Sequence, residues 1–327
     1  MKAHIPWFLT SLSLGVFYNL ISTWREINNA IETERFKLNI TPSLQEDILL
    51  FNRVPKVGSQ TVWGIIDKLA RLNNFNSTID NLKLKALRGG ENVYLTTPEQ
   101  KSYVDMWMND IDRPYSYNKH FLFVDFEEFG YRNPIYINFV RHPVERVISW
   151  YYYIRNPSYQ FSYGLNASLF QSIKGTLTIG RLKRSIDDCI FMGYKECTYA
   201  KGQNVIGATY GGSHYSQIAF FCGMHPECLV FHSLKAFNRA IRNVDKYFAV
   251  IGVSEDFNMS VRVLEAYIPR FFRNITQVYQ KGMLNRNKHK PKVSMETWNM
   301  IATNFTLEIR FYEYCKQKLR KQFLAIL

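Results

Sequence analysis

Short apolar runs alternate with segments whose apolar residues recur at helical spacing along most of the chain. ILLFNRV (48–54) has the length of a strand and precedes VWGIIDKLARL (62–72), where the apolar positions follow a helical period. YINFV (136–140) precedes the helical pattern VERVISWYYYIR (144–155) in the same way. Each of these two units predicts a buried strand, a loop and a helix, in that order.

The same pattern continues through the rest of the chain. HFLFVDF (120–126) and YFAVIGV (247–253) are further strand candidates. Helical patterns run from about residue 259 to 273 and from 294 to 323. Strands that alternate with helices predict an α/β fold with a mostly parallel central sheet and helices on both faces. We see no internal repeat and no convincing boundary within residues 48–327, so we expect one large domain there.

The amino-terminal region differs from this body. Residues 5–22 are almost uncharged, and as a helix they would reach roughly 27 Å, just enough for a thin bilayer. We therefore predict a short cytosolic tail (1–4), a transmembrane signal anchor (5–22), a stem (23–47) and a lumenal domain (48–327). A cleaved signal peptide is the alternative for the apolar segment, and both interpretations direct the remaining chain into the secretory pathway.

Basic residues outnumber acidic ones in this chain of 327 residues. There are 41 Lys and Arg against 27 Asp and Glu, which gives a net charge of +14. An excess of this size favours a polyanionic partner such as nucleic acid, anionic lipid or an acidic polysaccharide. Charge alone does not choose among these partners, and a merely basic soluble surface is the alternative. The hydrophobic content of 46% supplies enough material for the core of a folded domain.

Sequons and cysteines are compatible with the secretory pathway. Four of the five cysteines form two close pairs, Cys189 with Cys197 and Cys222 with Cys228, separated by eight and six positions. These separations suit small disulfide loops better than a zinc site, so we predict both bonds and a free Cys315. Six Asn-x-Ser/Thr sequons are candidate glycosylation sites: Asn39, Asn76, Asn166, Asn258, Asn274 and Asn304.

The loop after the first predicted strand has the residues of a phosphate-binding site. A loop that opens a helix presents free backbone N–H groups and the positive end of the helix dipole. Lys56 supplies a movable charge, and Gly58 permits close approach of the backbone. Ser59 and Thr61 can donate their hydroxyl groups. The Walker A pattern is absent and nothing indicates a magnesium site, so an ordinary strand-to-helix turn remains the alternative.

The second strand–loop–helix unit offers a similar site. Arg141 lies at the end of the predicted strand, and Ser149 follows eight positions later, about two helical turns on, so both can face one ligand. The alternative is that Arg141 pairs with a nearby carboxylate and Ser149 packs within the helix. Together the two units suit a nucleotide that carries phosphates at both ends.

Both units resemble motifs of one enzyme family. NRVPKVGSQT (52–61) resembles the 5′-phosphosulfate-binding loop of the heparan and uronyl 2-O-sulfotransferases, and NFVRHPVERVISWYYYIR (138–155) resembles their 3′-phosphate-binding segment. The likeness covers most of residues 48–320, includes FFCGMHPEC (220–228), and is greatest for the uronyl branch. It implies a P-loop-like α/β fold, often assembled as a homotrimer, with PAPS as the sulfate donor and no metal requirement.

The resemblance also implies roles for individual residues. His120 matches the histidine regarded as the catalytic base, and Lys56 matches the lysine at the sulfate-bearing end of PAPS. Arg141 and Ser149 match the residues that bind the 3′-phosphate, and the two cysteine pairs match the family's disulfides. The residues around Lys56 complete the implied donor site: Arg53, Gly58, Ser59, Gln60 and Thr61.

Two positions depart from the family pattern. His142 stands where many relatives carry Asp. Asn118 stands where the heparan branch has an additional histidine, two positions before His120. The second departure bears on the preferred substrate more than on the chemistry.

Sulfuryl transfer needs a base on the acceptor side and a cation on the leaving-group side. A neutral imidazole suits the first task, and we assign it to His120, with His142 as a weaker candidate. Asp125 or Glu127 is a candidate for orienting the base. The Lys56 ammonium suits the second task because it can neutralise the charge that develops on the leaving oxygen.

The expected acceptor is a polyanionic glycan, such as a glycosaminoglycan, and not a nucleic acid. Basic stretches at 181–184 and 281–292 could line its groove, and Arg184 is the preferred contact, although charge runs are commonly solvated loops. We expect a single-pass type II protein of the Golgi membrane. The alternatives are a P-loop phosphotransferase, a sulfotransferase for another glycoprotein glycan, and an inactive relative that binds PAPS or polysaccharide.

Overall fold

One sheet of five parallel strands lies at the centre of the part of the chain that this computed structural model describes. That part comprises residues 7–78, 93–155, 180, 183–205, 216–280 and 291–327. The strands are β1 (Gln45–Asn52), β2 (Asn76–Thr78), β3 (Tyr115–Lys119), β4 (Pro134–Val140) and β5 (Phe248–Val253). Their order across the sheet is β2-β3-β1-β4-β5, and every neighbouring pair is parallel.

Helices cover both faces of this sheet. Every residue of β4 and β5 is buried, and successive side chains of a strand point to opposite faces, so neither face is left open to solvent. The predicted α/β fold with a parallel sheet is confirmed. The described helices are α1 (Trp7–Leu38), α2 (Ser59–Asn73), α3 (Thr97–Asn109), α4 (Pro143–Tyr153), α5 (Ile186–Phe191), α6 (Ile218–Cys222), α7 (Leu234–Tyr247), α8 (Phe257–Tyr267), α9 (Pro269–Phe272), α10 (Ile275–Gln280), α11 (Met295–Asn304) and α12 (Thr306–Leu324).

The strand predicted at 120–126 is wrong. The third strand is β3, which ends at Lys119, and the apolar residues after it leave the sheet. The N–H groups of Leu122 and Phe123 donate to the carbonyls of Val93 and Phe220, at 3.0 and 3.1 Å, and not to a neighbouring strand. The side chains of Leu122 and Phe123 are buried all the same, so the run is apolar because it enters the core.

Two predicted helices are each divided in the structure. The helix predicted over 259–273 ends at Tyr267, because Ile268 precedes a proline and adopts a non-helical conformation with φ −132° and ψ 56°. The helix predicted over 294–323 is interrupted at Phe305, which separates α11 from α12.

The amino-terminal helix α1 begins at Trp7, within the predicted anchor, and continues into the predicted stem. Its last carbonyl, at Leu38, accepts a hydrogen bond from Gln322 in α12 at 3.1 Å. Within the described residues, no helix combines the length and the apolar character needed to cross a bilayer. The anchor and the stem remain predictions, and the predicted cytosolic tail (1–4) lies outside the described residues.

Both cysteine pairs form disulfide bonds in the structure. The Cα–Cα distances are 5.9 Å for Cys189–Cys197 and 5.4 Å for Cys222–Cys228, while Cys315 is buried without a disulfide partner. Five of the six sequon asparagines lie in the described residues, and Asn166 lies outside them. The exposed ones are Asn76, Asn258 and Asn274, whereas Asn39 and Asn304 are half-buried.

Candidate active site

Three neighbouring strands end at one edge of the sheet, and each leads into a predicted site residue. β1, in the middle, leads into the loop that carries Lys56. β3, on one side, ends directly before His120, and β4, on the other, ends directly before Arg141. Because parallel strands end on the same side of a sheet, the fold brings the predicted base and both predicted anion-binding segments to one edge.

The loop between β1 and α2 adopts left-handed backbone conformations at two positions. Lys56 has φ 65° and Gly58 has φ 77°. A side chain at residue 58 would meet no atom within 4 Å, so the backbone conformation, and not lack of space, requires glycine there. The Gly58 carbonyl accepts from the N–H groups of Thr61 and Val62, at 3.0 and 3.3 Å. The preceding N–H groups, at the first turn of α2, therefore lie at an end suited to an anion.

The Lys56 ammonium lies in a partly buried, cationic environment. Its nitrogen is 3.5 Å from the centre of the Tyr153 ring, a cation–π contact with the last residue of α4. The Lys56 carbonyl accepts a hydrogen bond from Arg141 Nη1 at 3.3 Å. Burial, and then the nearby charge of Arg141, lower the pKa of Lys56 from 10.5 to about 8. An anion beside these two cations would favour the protonated lysine and so raise its pKa.

Arg141 and Ser149 lie on the second predicted anion-binding segment. The Arg141 guanidinium pairs with Glu145 at 3.2 Å, as the alternative interpretation of the sequence expected, and Ser149 is buried in α4. Both members of the Arg141–Glu145 pair keep solvent contact, and ion pairs of this kind contribute little to stability. A phosphate can therefore compete with Glu145 for the guanidinium.

The His120 ring is oriented by a backbone carbonyl. Nδ1 lies 2.8 Å from the Arg53 carbonyl oxygen. An N–H must donate to this oxygen, so Nδ1 carries the proton and Nε2 is the nitrogen able to accept one. Burial, and then the positive charge of Arg53, lower the pKa of His120 from 6.5 to about 4. The imidazole is therefore neutral over the physiological pH range, as a general base requires.

The two carboxylates expected to orient His120 are engaged elsewhere. Asp125 accepts from Tyr247 at 2.7 Å and from Asn133 at 3.1 Å. Glu127 pairs with Lys246 at 2.7 Å. The expectation that Asp125 or Glu127 orients the base is therefore wrong, since the carbonyl of Arg53 has that role.

His142 faces the carboxyl-terminal helices. Its ring stacks on Trp298 with a centroid distance of 5.1 Å and an interplanar angle of 16°, and its edge-on neighbour is Tyr312. Its backbone N–H donates to the Glu255 carboxylate at 2.9 Å. Glu255 thus places a carboxylate at the start of α4. In many relatives, the family resemblance implies, an Asp at position 142 carries a carboxylate at this point of the chain. The contacts of His142 support His120 as the better candidate for the base.

The Arg184 guanidinium is held by an acidic and an aromatic side chain. Its guanidinium is 3.5 Å from Glu196 and lies 3.4 Å from the centre of the Tyr194 ring. Arg155 shares the same carboxylate at 2.8 Å. The side chain of Arg184 is 20% exposed, so part of it can still reach a ligand. Residues 181 and 182 of the first basic stretch, and 281–290 of the second, lie outside the described residues.

Comparison with known proteins identifies the family. The model of the sulfotransferase family matches residues 44–315. The chain belongs to this family. The chain is 35% identical over 297 residues to the uronyl 2-sulfotransferase homolog pip of Drosophila melanogaster, covering 88% of this chain and 55% of that protein. It is 28% and 27% identical, each over 304 residues, to heparan sulfate 2-O-sulfotransferase 1 of Xenopus laevis and Homo sapiens, covering 90% of this chain and 77% of each relative.

The family match confirms the predicted resemblance and agrees with the P-loop-like fold. The chain spans only about half the length of the Drosophila relative. Within the described ranges, no group of three or more His, Cys, Asp or Glu residues is arranged to hold a metal ion.

Sequence reasoning missed residues that support the two predicted anion-binding segments. The Ser254 hydroxyl donates to the Val57 carbonyl at 2.6 Å, which ties the end of β5 to the loop between β1 and α2. Tyr153 lies against Lys56. Ser254 directly follows a predicted strand, as Arg141 does, and that position was a usable signal. Tyr153 is one of three consecutive tyrosines, and nothing in the sequence distinguishes it from the other two.

Proposed function

We propose that this sulfotransferase transfers the sulfuryl group of PAPS to the 2-hydroxyl of a uronic acid in a glycosaminoglycan or a related glycan. One arrangement carries the proposal: a neutral His120 and the cations Lys56 and Arg141 follow three neighbouring strands at one edge of the sheet. The printed names of the relatives, a uronyl 2-sulfotransferase homolog and heparan sulfate 2-O-sulfotransferases, support the choice of hydroxyl.

The charges at this edge fit a donor with phosphates at both ends. Lys56 would hold the sulfate-bearing 5′ end, and Arg141 with Ser149 would hold the 3′-phosphate. Burial, and then the charge of Arg141, lower the pKa of Lys56, and an anion bound beside the two cations would favour the protonated lysine. The other residues proposed at the 5′ end are Arg53, Gly58, Ser59, Gln60 and Thr61.

The reaction is an in-line displacement at sulfur. His120 Nε2 takes the proton of the attacking hydroxyl while the hydroxyl oxygen forms its bond to sulfur. The bond from sulfur to the bridging oxygen breaks, and its electron pair stays on the 5′-phosphate of the leaving nucleotide. Lys56 neutralises the charge that grows on that oxygen. The products are the sulfated glycan, adenosine 3′,5′-bisphosphate and one proton held by His120.

The remaining features support a polyanionic glycan as the acceptor and the secretory pathway as the compartment. A net charge of +14 suits a polyanionic glycan, and Arg184 is the proposed contact for its carboxylate or sulfate groups. Two disulfides suit the oxidising secretory pathway. We propose a type II protein of the Golgi membrane, anchored by residues 5–22 and assembled as a homotrimer, as the family resemblance implies.

Transfer of labelled sulfate tests this proposal. The full chain is expressed in eukaryotic cells, purified in detergent, and supplied with labelled PAPS and a panel of desulfated heparan, chondroitin and dermatan chains. Disaccharide analysis then locates the label. We expect label at the 2-position of a uronic acid in at least one acceptor. Label only at another position would contradict the proposed hydroxyl. Binding of PAPS without transfer to any acceptor would favour an inactive binding protein or a different glycan acceptor.

A further inference from the structure

The backbone of Arg141 is held by a side chain from a distant part of the chain. Gln217 is fully buried, and its Oε1 accepts from the Arg141 N–H at 3.0 Å. Its Nε2 donates to the Arg141 carbonyl at 2.9 Å. One amide therefore satisfies both backbone groups of the residue that follows β4. This fixes the point from which the Arg141 guanidinium extends.

A buried carboxylate holds Gln217 in turn. Glu308 in α12 is 1% exposed, and its Oε2 accepts from the Gln217 N–H at 2.8 Å. Its Oε1 accepts from the Ser216 hydroxyl at 2.7 Å. Such a carboxylate needs a compensating charge, and the fully buried Arg146 guanidinium of α4 interacts with it electrostatically.

This network connects three separate segments beneath one anion-binding residue. It joins α12, the segment before α6, and the first turn of α4, where the Arg146 N–H donates to the His142 carbonyl at 2.9 Å. The side-chain oxygens of Gln217 and Glu308 all accept hydrogen bonds, and buried polar groups satisfied in this way tend to fix a single arrangement. The Arg141 guanidinium, by contrast, is partly exposed, and among the described residues it contacts Glu145 and the Lys56 carbonyl. Its backbone is rigid while its charged end remains accessible.

We propose that Gln217 is a positioning residue that aims Arg141 at the 3′-phosphate of the donor nucleotide, with Glu308 holding Gln217 in place. The inference rests on the proposed function, in which Arg141 binds that phosphate. It assigns Gln217 a part in nucleotide selectivity, although Gln217 is buried and acts only through Arg141.

The test compares two nucleotides that differ only in the 3′-phosphate. Binding of adenosine 3′,5′-bisphosphate and of adenosine 5′-monophosphate to the full chain is measured by calorimetry. In Gln217→Met, which keeps the volume but loses the amide, we expect the preference for the bisphosphate to fall about tenfold, equivalent to about 1.4 kcal/mol. Binding of the monophosphate should stay within about twofold of the original value.

Gln322 provides the matched control. It is also fully buried, and its amide donates to the carbonyls of Leu38 and Ala249 at 3.1 and 2.8 Å. Gln322→Met should therefore leave the preference unchanged. If Gln217→Met does not fold, Gln217→Asn keeps an amide that is too short for both contacts and serves as the second variant.

Three outcomes would overturn the inference. An unchanged preference in a folded Gln217 variant would remove the positioning role. Equal losses for both nucleotides would indicate a purely structural role. If the unaltered enzyme itself shows no preference for the bisphosphate, the assignment of Arg141 and the proposed donor fail together. In the first two outcomes the proposed function survives, so the two failures can be told apart.

Discussion

Raising the pH should slow sulfate transfer because Lys56 loses the proton that makes it a cation. Its pKa lies at about 8, lowered by burial and by the neighbouring Arg141. Lys56 acts in its protonated form, so activity is present below this pKa and is lost above it. His120 acts in its neutral form and has a pKa of about 4, so activity is lost only below that value. A plot of kcat/KM against pH should therefore be bell-shaped.

The magnitude of the alkaline limb follows from the protonated fraction of Lys56. One pH unit above its pKa, about one-tenth of the lysine is charged, so kcat/KM should fall about tenfold there. The alkaline limb of kcat should lie at higher pH, because kcat reports the complex and the bound donor brings negative charge beside Lys56. The difference between the two limbs measures the interaction between Lys56 and the donor.

The assay is initial-rate kinetics of labelled sulfate transfer across the pH range, with Lys56→Arg as the test variant. Arginine stays charged far above pH 8, with a pKa above about 12, so the alkaline limb assigned to Lys56 should disappear even if the rate at neutral pH is lower. Lys246→Arg is the control, because this exposed lysine pairs with Glu127 away from the site. An alkaline limb that persists unchanged in Lys56→Arg would refute the assignment.

Three further changes test other parts of the structure. Tyr153→Leu removes the ring under the Lys56 ammonium and should raise the KM for PAPS about threefold, without a change in the KM for the glycan; an unchanged donor KM would show that the contact is not used. Gly252→Ala places a Cβ 2.3 Å from the buried Phe139 ring, and overpacking of this kind should lower the free energy of unfolding by about 1–3 kcal/mol in urea titrations. An unaltered midpoint would contradict that packing. Replacing Cys222 and Cys228 by Ser should cost about 2.4 kcal/mol by the same measurement, from the small loop they close, and undiminished stability would rule this out.

The sequence predicted the parts of the fold in which local pattern and tertiary environment agree. β4, β5 and the second half of β1 are largely apolar because both faces of the parallel sheet are covered there, whereas the first three residues of β1 are polar and lie outside the predicted strand. β3 was missed because its sequence, YSYNK, looks polar, although Ser116 and Asn118 are both buried within it. The apolar run that follows it has the stronger strand pattern, although it leaves the sheet.

Part of the candidate site could likewise be predicted from the sequence, and part of it could not. Lys56, His120 and Arg141 stand at strand ends and belong to recognisable motifs, so the sequence pointed to them. The orientation of His120 depends on the Arg53 carbonyl, a group that every residue carries and that therefore has no signature in the sequence. The support of Arg141 by Gln217 spans 76 positions and exists only after the chain has folded.

The most direct test of the proposed chemistry is sulfate transfer by His120→Ala, with donor binding measured on the same preparation. We expect adenosine 3′,5′-bisphosphate to bind about as tightly as before, while transfer falls by about 10²–10⁴-fold, the usual contribution of a general base. The control His142→Ala should keep its turnover, since that ring packs against Trp298. Retained transfer by His120→Ala, or its loss in His142→Ala with donor binding intact, would contradict the proposed active site.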